Sequence, residues 1–374
     1  MRLSGTNTIT TIGTLSGAVD IASGTTTFNI ATDQVLASQI TGAGSLVKTG
    51  VGVLTIQSDN SYSGGTTISA GTLQVGSGGA TGTLGSGNVV NNGVLVINRA
   101  GNLTFDGAIS GSGTLIKEGA GTLTLTAANP FSGSTGIRAG TIAITNASGL
   151  GTFNTELSGT SSRLLLDFDG TFAGNGLILS ASSRATVAAA TGRTVTLAGS
   201  LSFLDQSFTT FGSPTETGTI VLRPTFSQTF FSSGIQIAGG TLRVSDPFLL
   251  DGFGLPSIVG GVDLGATGGI VIDPVGTLDI AGISVSLNRV SGAGTILNSG
   301  RAAVLTLNVT EKFAGTFDTG ANGITLRGAI AGEQGLIKRG AGALVLASPT
   351  QRRSRSIRTP PSFGCLTAAR PNRA

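Results

Sequence analysis

The sequence predicts an all-β fold, a single chain coiled into a parallel β-helix (a β-solenoid). Glycine supplies 61 of 374 residues, more than twice the usual share. Short runs follow one rule: Gly, any residue, apolar, polar, apolar. The rule gives GVLTI from Gly52, GTLQV from Gly71, GTLTL from Gly121, GTIAI from Gly140, GTLRV from Gly240 and GTLDI from Gly276. Helix is a poor competitor, because no 12-residue window keeps a 3.6-residue period without Gly or dense Ser and Thr, and each interior Gly costs roughly 1 kcal/mol.

Each run is a strand because apolar residues alternate with polar ones. In GVLTI, Leu54 and Ile56 face one side and Thr55 the other; in GTLQV, Leu73 and Val75 turn inward and Gln74 outward. The spacing of the strand-opening glycines predicts coiling rather than a sandwich. They stand at Gly44, Gly52 and Gly71, then at Gly113, Gly121 and Gly140, with gaps of 8 and 19 both times. A three-sided coil needs a short strand, a tight corner and another strand, and Gly meets corners with positive φ. A single rung leaves its backbone donors and acceptors unpaired on both edges, and stacking on similar rungs satisfies them. The interior then becomes columns of Leu, Ile and Val, while Ser, Thr and Asn form the exterior. At roughly 20 residues and about 4.8 Å per rung, 350 residues give about 15–17 rungs and a rod of roughly 75–80 Å.

The chain repeats itself. Ile40–Gly76 and Ile109–Thr145 align without a gap at an offset of 69, with 17 identities in 37 positions. A third copy starts at Ile330 and stops after Ala347, and a weaker one starts at Val290. The first copy places Gly42, Gly44, Leu46, Lys48, Gly50, Gly52, Leu54, Asn60, Tyr62, Gly64, Thr66, Ile68, Gly71, Thr72 and Leu73 in one pattern. The second repeats it from Gly111 through Lys117, Asn129, Phe131 and Ile137 to Thr141.

This pattern resembles the autotransporter-associated β-strand repeat of bacterial type V secretion passengers. The clear copies cover about a quarter of the chain; residues 146–290 fit in style alone. The resemblance implies a right-handed parallel β-helix, exported across two membranes and displayed at the cell surface. It implies no ligand, since these repeats are scaffold. Parts of the family pattern are missing from the stretch at hand. The start, MRLSGTNTITTIGTLSG, lacks the apolar run of an export signal, and no C-terminal membrane barrel follows.

Composition excludes whole classes of chemistry. The chain has no His and one Cys, Cys365, so it has no Ser-His-Asp or Cys-His nucleophile, no His ligand and no intrachain disulfide. The net charge of +4 is uneven. Arg352, Arg353, Arg355, Arg358, Arg370 and Arg373 crowd the last 23 residues, and no acid lies beyond Glu333. Residues 1–350 carry 16 basic and 18 acidic side chains, a net −2. A nucleic-acid surface needs basic residues across a folded face, which this body lacks. The tail SPTQRRSRSIRTPPSFGCLTAARPNRA breaks the repeat abruptly. The expectation is a frame shift near Ser348, with out-of-frame translation beyond it.

Asp167 and Asp169 in LLLDFDG share a strand face opposite Leu164, Leu166 and Phe168. A carboxylate pair suits calcium or acid–base work, as in β-helical polysaccharide lyases and glycosidases. The plainer reading is a solvated outer face over a core Phe168, because of the charged residues such enzymes need only Arg163 is nearby. Lys48, Lys117 and Lys338 recur at strand ends before a turn, which marks a structural corner rather than a charge relay. The Phe-rich segment 207–231 breaks the Gly rhythm, and an interior aromatic stack or a packed loop explains it better than a binding loop does.

The reading is a structural and interaction protein. Residues 1–348 form a β-helical passenger repeat domain and 349–374 a basic, disordered or out-of-frame tail. The expected role is a surface-exposed, adhesive scaffold rather than an enzyme; the alternative is a β-helical carbohydrate-active enzyme. No catalytic, cofactor-binding or metal residue is assigned, and no cofactor is expected. Partners are expected on host or neighbouring cell surfaces, with no nucleic acid. Membrane attachment is expected only through a translocator barrel outside this chain, and the chain is expected to be monomeric. The localisation implied by the resemblance is the cell surface, the outer membrane or the exterior.

Overall fold

The computed structural model describes residues 1–13, 17–172, 176–180, 184–203, 208–223, 234–245, 261–263, 269–328, 337–347 and 366–368. Among the described residues the secondary structure is all β and the strand pairings are parallel, from Arg2–Leu3 on Val19–Ile21 to Leu344–Leu346 on Leu366–Ala368. The chain divides into two compact units. The first comprises Met1–Phe168 and Gly174–Ile178, the second Asp169–Ala173 and Leu179–Ala374. Each is a solenoid of stacked strands.

In the first unit the chain passes repeatedly through three faces. One face stacks Thr6–Ile9, Thr25–Asn29, Ser45–Thr49, Thr66–Ile68, Val89–Asn91 and Ile109–Ser110. The next stacks Gln34–Leu36, Val53–Ile56, Thr72–Val75, Val94–Asn98, Thr114–Glu118, Thr135–Ile137 and Thr155–Leu157. The third includes Leu103–Phe105, Thr122–Leu125, Gly140–Ile144 and Ser162–Leu166. The expected parity holds: Leu54, Ile56, Leu73 and Val75 are all buried, and Gln74 is half-buried. Register stacks these side chains into interior columns. One column runs Leu36, Ile56, Val75, Ile97, Lys117, Ile137, Leu157, with successive members 19 to 22 residues apart.

That spacing has a consequence the linear repeat hides. The two clear copies lie 69 residues apart, which is three turns and about one further face. Ser45–Thr49 of the first copy therefore sits on one face, and its counterpart Thr114–Glu118 on the next. The two copies therefore do not stack one on the other; the motif winds around the unit.

Backbone groups at the corners are satisfied by side chains one rung away. The Oδ1 atoms of Asp33, Asn88, Asn92 and Asn102 accept from the N–H groups of Val53, Ala108, Ser112 and Thr122, each 20 residues on. Asn60 and Asn129 reach back the same distance, accepting from the N–H groups of Ile40 and Ile109 at 2.7 Å. A buried backbone donor without a partner is costly, and Asn or Asp at these corners provides one.

The second unit repeats the design less regularly. One sheet stacks eight strands from Gly170–Phe172 to Ile337–Arg339. A second carries Arg184–Ala189, Phe208–Phe211, Ile235–Ile237, Ile270–Ile272 and the long strands Ser284–Gly292 and Ala303–Phe313, whose pairing shifts register between Leu287 and Gly292. Phe211 from the Phe-rich segment is buried; residues 207 and 224–231 of that segment lie outside the described residues. Of the tail, Leu366–Ala368 is described, as a strand on Leu344–Leu346.

Candidate functional site

The carboxylate pair comes first, because it carried the enzymatic alternative. Leu164, Leu166 and Phe168 are buried, while Asp167 is half-buried and Asp169 exposed, so the parity is as expected. Asp167 belongs to the first unit and Asp169 to the second. Asp169 works as a corner cap: it accepts from Thr194 N–H at 2.8 Å and from Arg193 Nη1 at 3.0 Å. These donors, the Thr194 N–H foremost, hold its carboxyl below the usual carboxylate range. Among the described residues no group of three or more His, Cys, Asp and Glu stands close enough to hold a metal ion.

The repeated lysines sit inside the solenoid. Lys48, Lys117 and Lys338 are each at most 3% exposed, and they make up three of the four Lys in the chain. Lys48 Nζ donates to the carbonyls of Thr49 and Gly50 at 2.7 and 2.8 Å, and to Ala70 on the next rung at 3.3 Å. Lys117 does the same with Glu118 and Gly119, both at 2.7 Å, and with Ala139 at 3.5 Å. Lys338 donates to Gly340 at 2.5 Å. The corner role read from the sequence is therefore filled from within. Burial lowers the Lys48 ammonium from its ordinary value and takes Lys117 down to about 8, with Glu118 opposing.

The two clear copies share a second buried position, held by an aromatic ring. In the first copy Tyr62 is fully buried and its hydroxyl bonds Thr66 Oγ1 at 2.6 Å; Phe131 occupies the matching place in the second copy and is also buried. Burial raises the Tyr62 phenol above its ordinary range. Nearby, Arg99 is buried and clamps the exposed stretch 77–81. It donates to the carbonyls of Gly82 and Ala80 and pairs with Asp59 at 3.3 Å.

The outer surface carries the other feature missed in the sequence. In the second unit Thr194, Thr219, Thr241, Thr277, Thr295 and Thr316 stack on six successive strands of one sheet. All six face outward. The neighbouring column runs Arg243, Asp279, Leu297, Asp318, Arg339; Arg243 covers Asp279, which is buried, and bonds it at 2.8 Å. The signal was present as a Thr after Gly and before an apolar residue at Thr219, Thr241, Thr277, Thr295 and Thr316, but only the register shows that these Thr residues form one line.

Residues 46–75 and 115–144 match the family model described as the Passenger-associated-transport-repeat. These segments span the lysine corner, the buried Asn and the Tyr62 or Phe131 position. Over 112 residues the chain is 43% identical to the Adhesin BmaC autotransporter of Brucella suis biovar 1 (strain 1330), an alignment covering 25% of this chain and 3% of that relative. The chain therefore spans a small fraction of the length of the curated relative it matches. No solved structure matches the chain significantly.

Proposed function

The chain is an autotransporter passenger repeat protein, and from that premise we propose that it is a scaffold displayed at the cell surface, whose outward faces make adhesive contacts with molecules on host or neighbouring cells. The observation that carries this reading is the 43% identity, over 112 residues, to an autotransporter adhesin. The architecture supports it. A solenoid presents repeated side chains at fixed intervals over a long surface, so weak polar contacts add through multivalency. The column from Thr194 to Thr316 is such a surface. The comparisons offer no support for the carbohydrate-active enzyme.

The test is display. Residues 1–347 are fused between an export signal and a translocator barrel on a non-adherent bacterium. Cells carrying the fusion bind cultured epithelial cells or one another several-fold better than cells carrying the barrel alone. Equal adhesion, with surface exposure confirmed by protease shaving, rejects the adhesive reading.

A further inference from the structure

We propose that the corner lysines are register locks, which select the rung allowed to stack next. The aliphatic columns cannot make that choice. Around Lys117 the column offers Ile97, Ile137 and Leu157, and these side chains are interchangeable in an apolar interior. Skipping one 20-residue rung forfeits a population factor on the order of tenfold to a hundredfold, a thin margin for a chain built of similar rungs.

The lysine corner adds a key and a keyhole. Lys117 Nζ takes its third acceptor, the Ala139 carbonyl, from the rung above. That rung crosses the corner with Gly140, at φ +67°. A Cβ there would meet the Gly119 carbonyl oxygen at 2.4 Å. Lys48 has the same arrangement with the Ala70 carbonyl and Gly71, at φ +65°, where a Cβ would lie 2.3 Å from the Gly50 oxygen and 2.9 Å from Lys48 Nζ. The rung above a lysine corner must therefore carry Gly three residues after its column residue. The native partners Ile68 and Ile137 satisfy this with Gly71 and Gly140. The following rungs fail it, because three residues after Asn91 and Leu157 stand Val94 and Thr160. A slipped rung would drive a Cβ into a carbonyl and leave one ammonium N–H without its acceptor, which is costly for a buried charge.

The test is refolding with register-reporting cysteines, on the whole chain with Cys365→Ser. Thr114 and Ser134 are outward neighbours, 3.5 Å apart at their hydroxyls. Leu115 N–H bonds the Ser134 carbonyl as Thr135 N–H bonds that of Asn154, so Asn154 takes the place of Ser134 when one rung is skipped. Thr114→Cys with Ser134→Cys reports native register; Thr114→Cys with Asn154→Cys reports slip, since two rungs of separation exceed disulfide reach in the native stack. Each pair is oxidised during refolding from urea and quantified by peptide mass spectrometry. With Lys117→Met, the 114–154 crosslink rises about tenfold over the Lys117 chain. With Lys48→Met, a Ser45→Cys and Asn88→Cys pair rises equally. An unchanged crosslink at either site overturns the proposal. So does a Met variant that fails to fold by circular dichroism, because it would make the lysine a packing necessity rather than a selector.

Discussion

The Lys117 ammonium donates to the Gly119 carbonyl at 2.7 Å from within a column whose other members are aliphatic. Its burial has a measurable sign. The folded group titrates at about 8, below the value near 10.4 of an exposed lysine. Between those values the unfolded chain binds more protons, so stability rises with pH. Below pH 8 both states are charged and the penalty is complete; it is relieved as pH climbs toward 10.4, by at most about 3 kcal/mol. Urea midpoints across pH 7–10 are expected to rise for the native chain and to rise less steeply for Lys117→Met, in which the buried Lys48 still contributes. The Met variant is expected to match or exceed the native chain at pH 7, as replacements of buried charges often do.

Tyr62 supplies an opposite slope at higher pH. It is the chain's one Tyr, and burial raises its phenol above the ordinary range. The folded state keeps a proton that the unfolded state releases, so this group's contribution is intact below pH 10 and falls as pH rises beyond it. Phenolate absorbance is expected to appear only together with unfolding, as followed by circular dichroism. Tyr62→Phe is expected to remove this link at a cost of about 1 kcal/mol, the hydroxyl bond to Thr66. Phe131 at the matching place shows that the ring alone packs there.

Two glycines four residues apart are expected to respond in opposite ways. Gly140 combines φ +67° with backbone carbonyls at 2.4 and 2.5 Å from any added Cβ. Gly140→Ala is expected to destabilise by about 2–4 kcal/mol, from left-handed strain plus collision with rigid backbone. Gly136 lies in the strand Thr135–Ile137, faces outward and has nothing within 4 Å of an added Cβ. Gly136→Ala is expected to be neutral or stabilising by up to about 1 kcal/mol, through the lost freedom of the unfolded chain. Thermal melts of the two variants read the difference directly.

The strands and their parity were legible because alternation of Leu, Thr and Ile is a local signal; Leu54, Ile56, Leu73 and Val75 went where the pattern sent them. What escaped depends on the turn length. The placement of the two copies on different faces follows from 19 to 22 residues per rung set against an offset of 69, and pattern matching fixes only the offset. The inward lysines escaped for another reason. A Lys is ordinarily read as solvated, and the acceptors that make Lys48 tolerable are carbonyls of a glycine corner and of Ala70, 22 residues away. The Thr column in the second unit needed the register of rungs as unequal as those joining Thr194, Thr219, Thr241 and Thr277.

The corner amides give the last contrast. Asn129 is 1% exposed. Its Oδ1 accepts from Ile109 N–H at 2.7 Å, and its Nδ2 donates to the Gly149 carbonyl at 2.7 Å and to Ala127 at 3.1 Å. Asn129→Ala strands a buried backbone donor and a buried acceptor, and is expected to cost about 2–4 kcal/mol. Asn92 makes a chemically similar bond, accepting from Ser112 N–H at 3.1 Å, but it is exposed. Water takes over that donor once the side chain is gone, so Asn92→Ala is expected to cost less than about 1 kcal/mol. Urea midpoints for the two variants, measured beside the native chain, should differ in that order. Equal losses would mean that the interior Asn acts through corner geometry rather than through the bonds it satisfies.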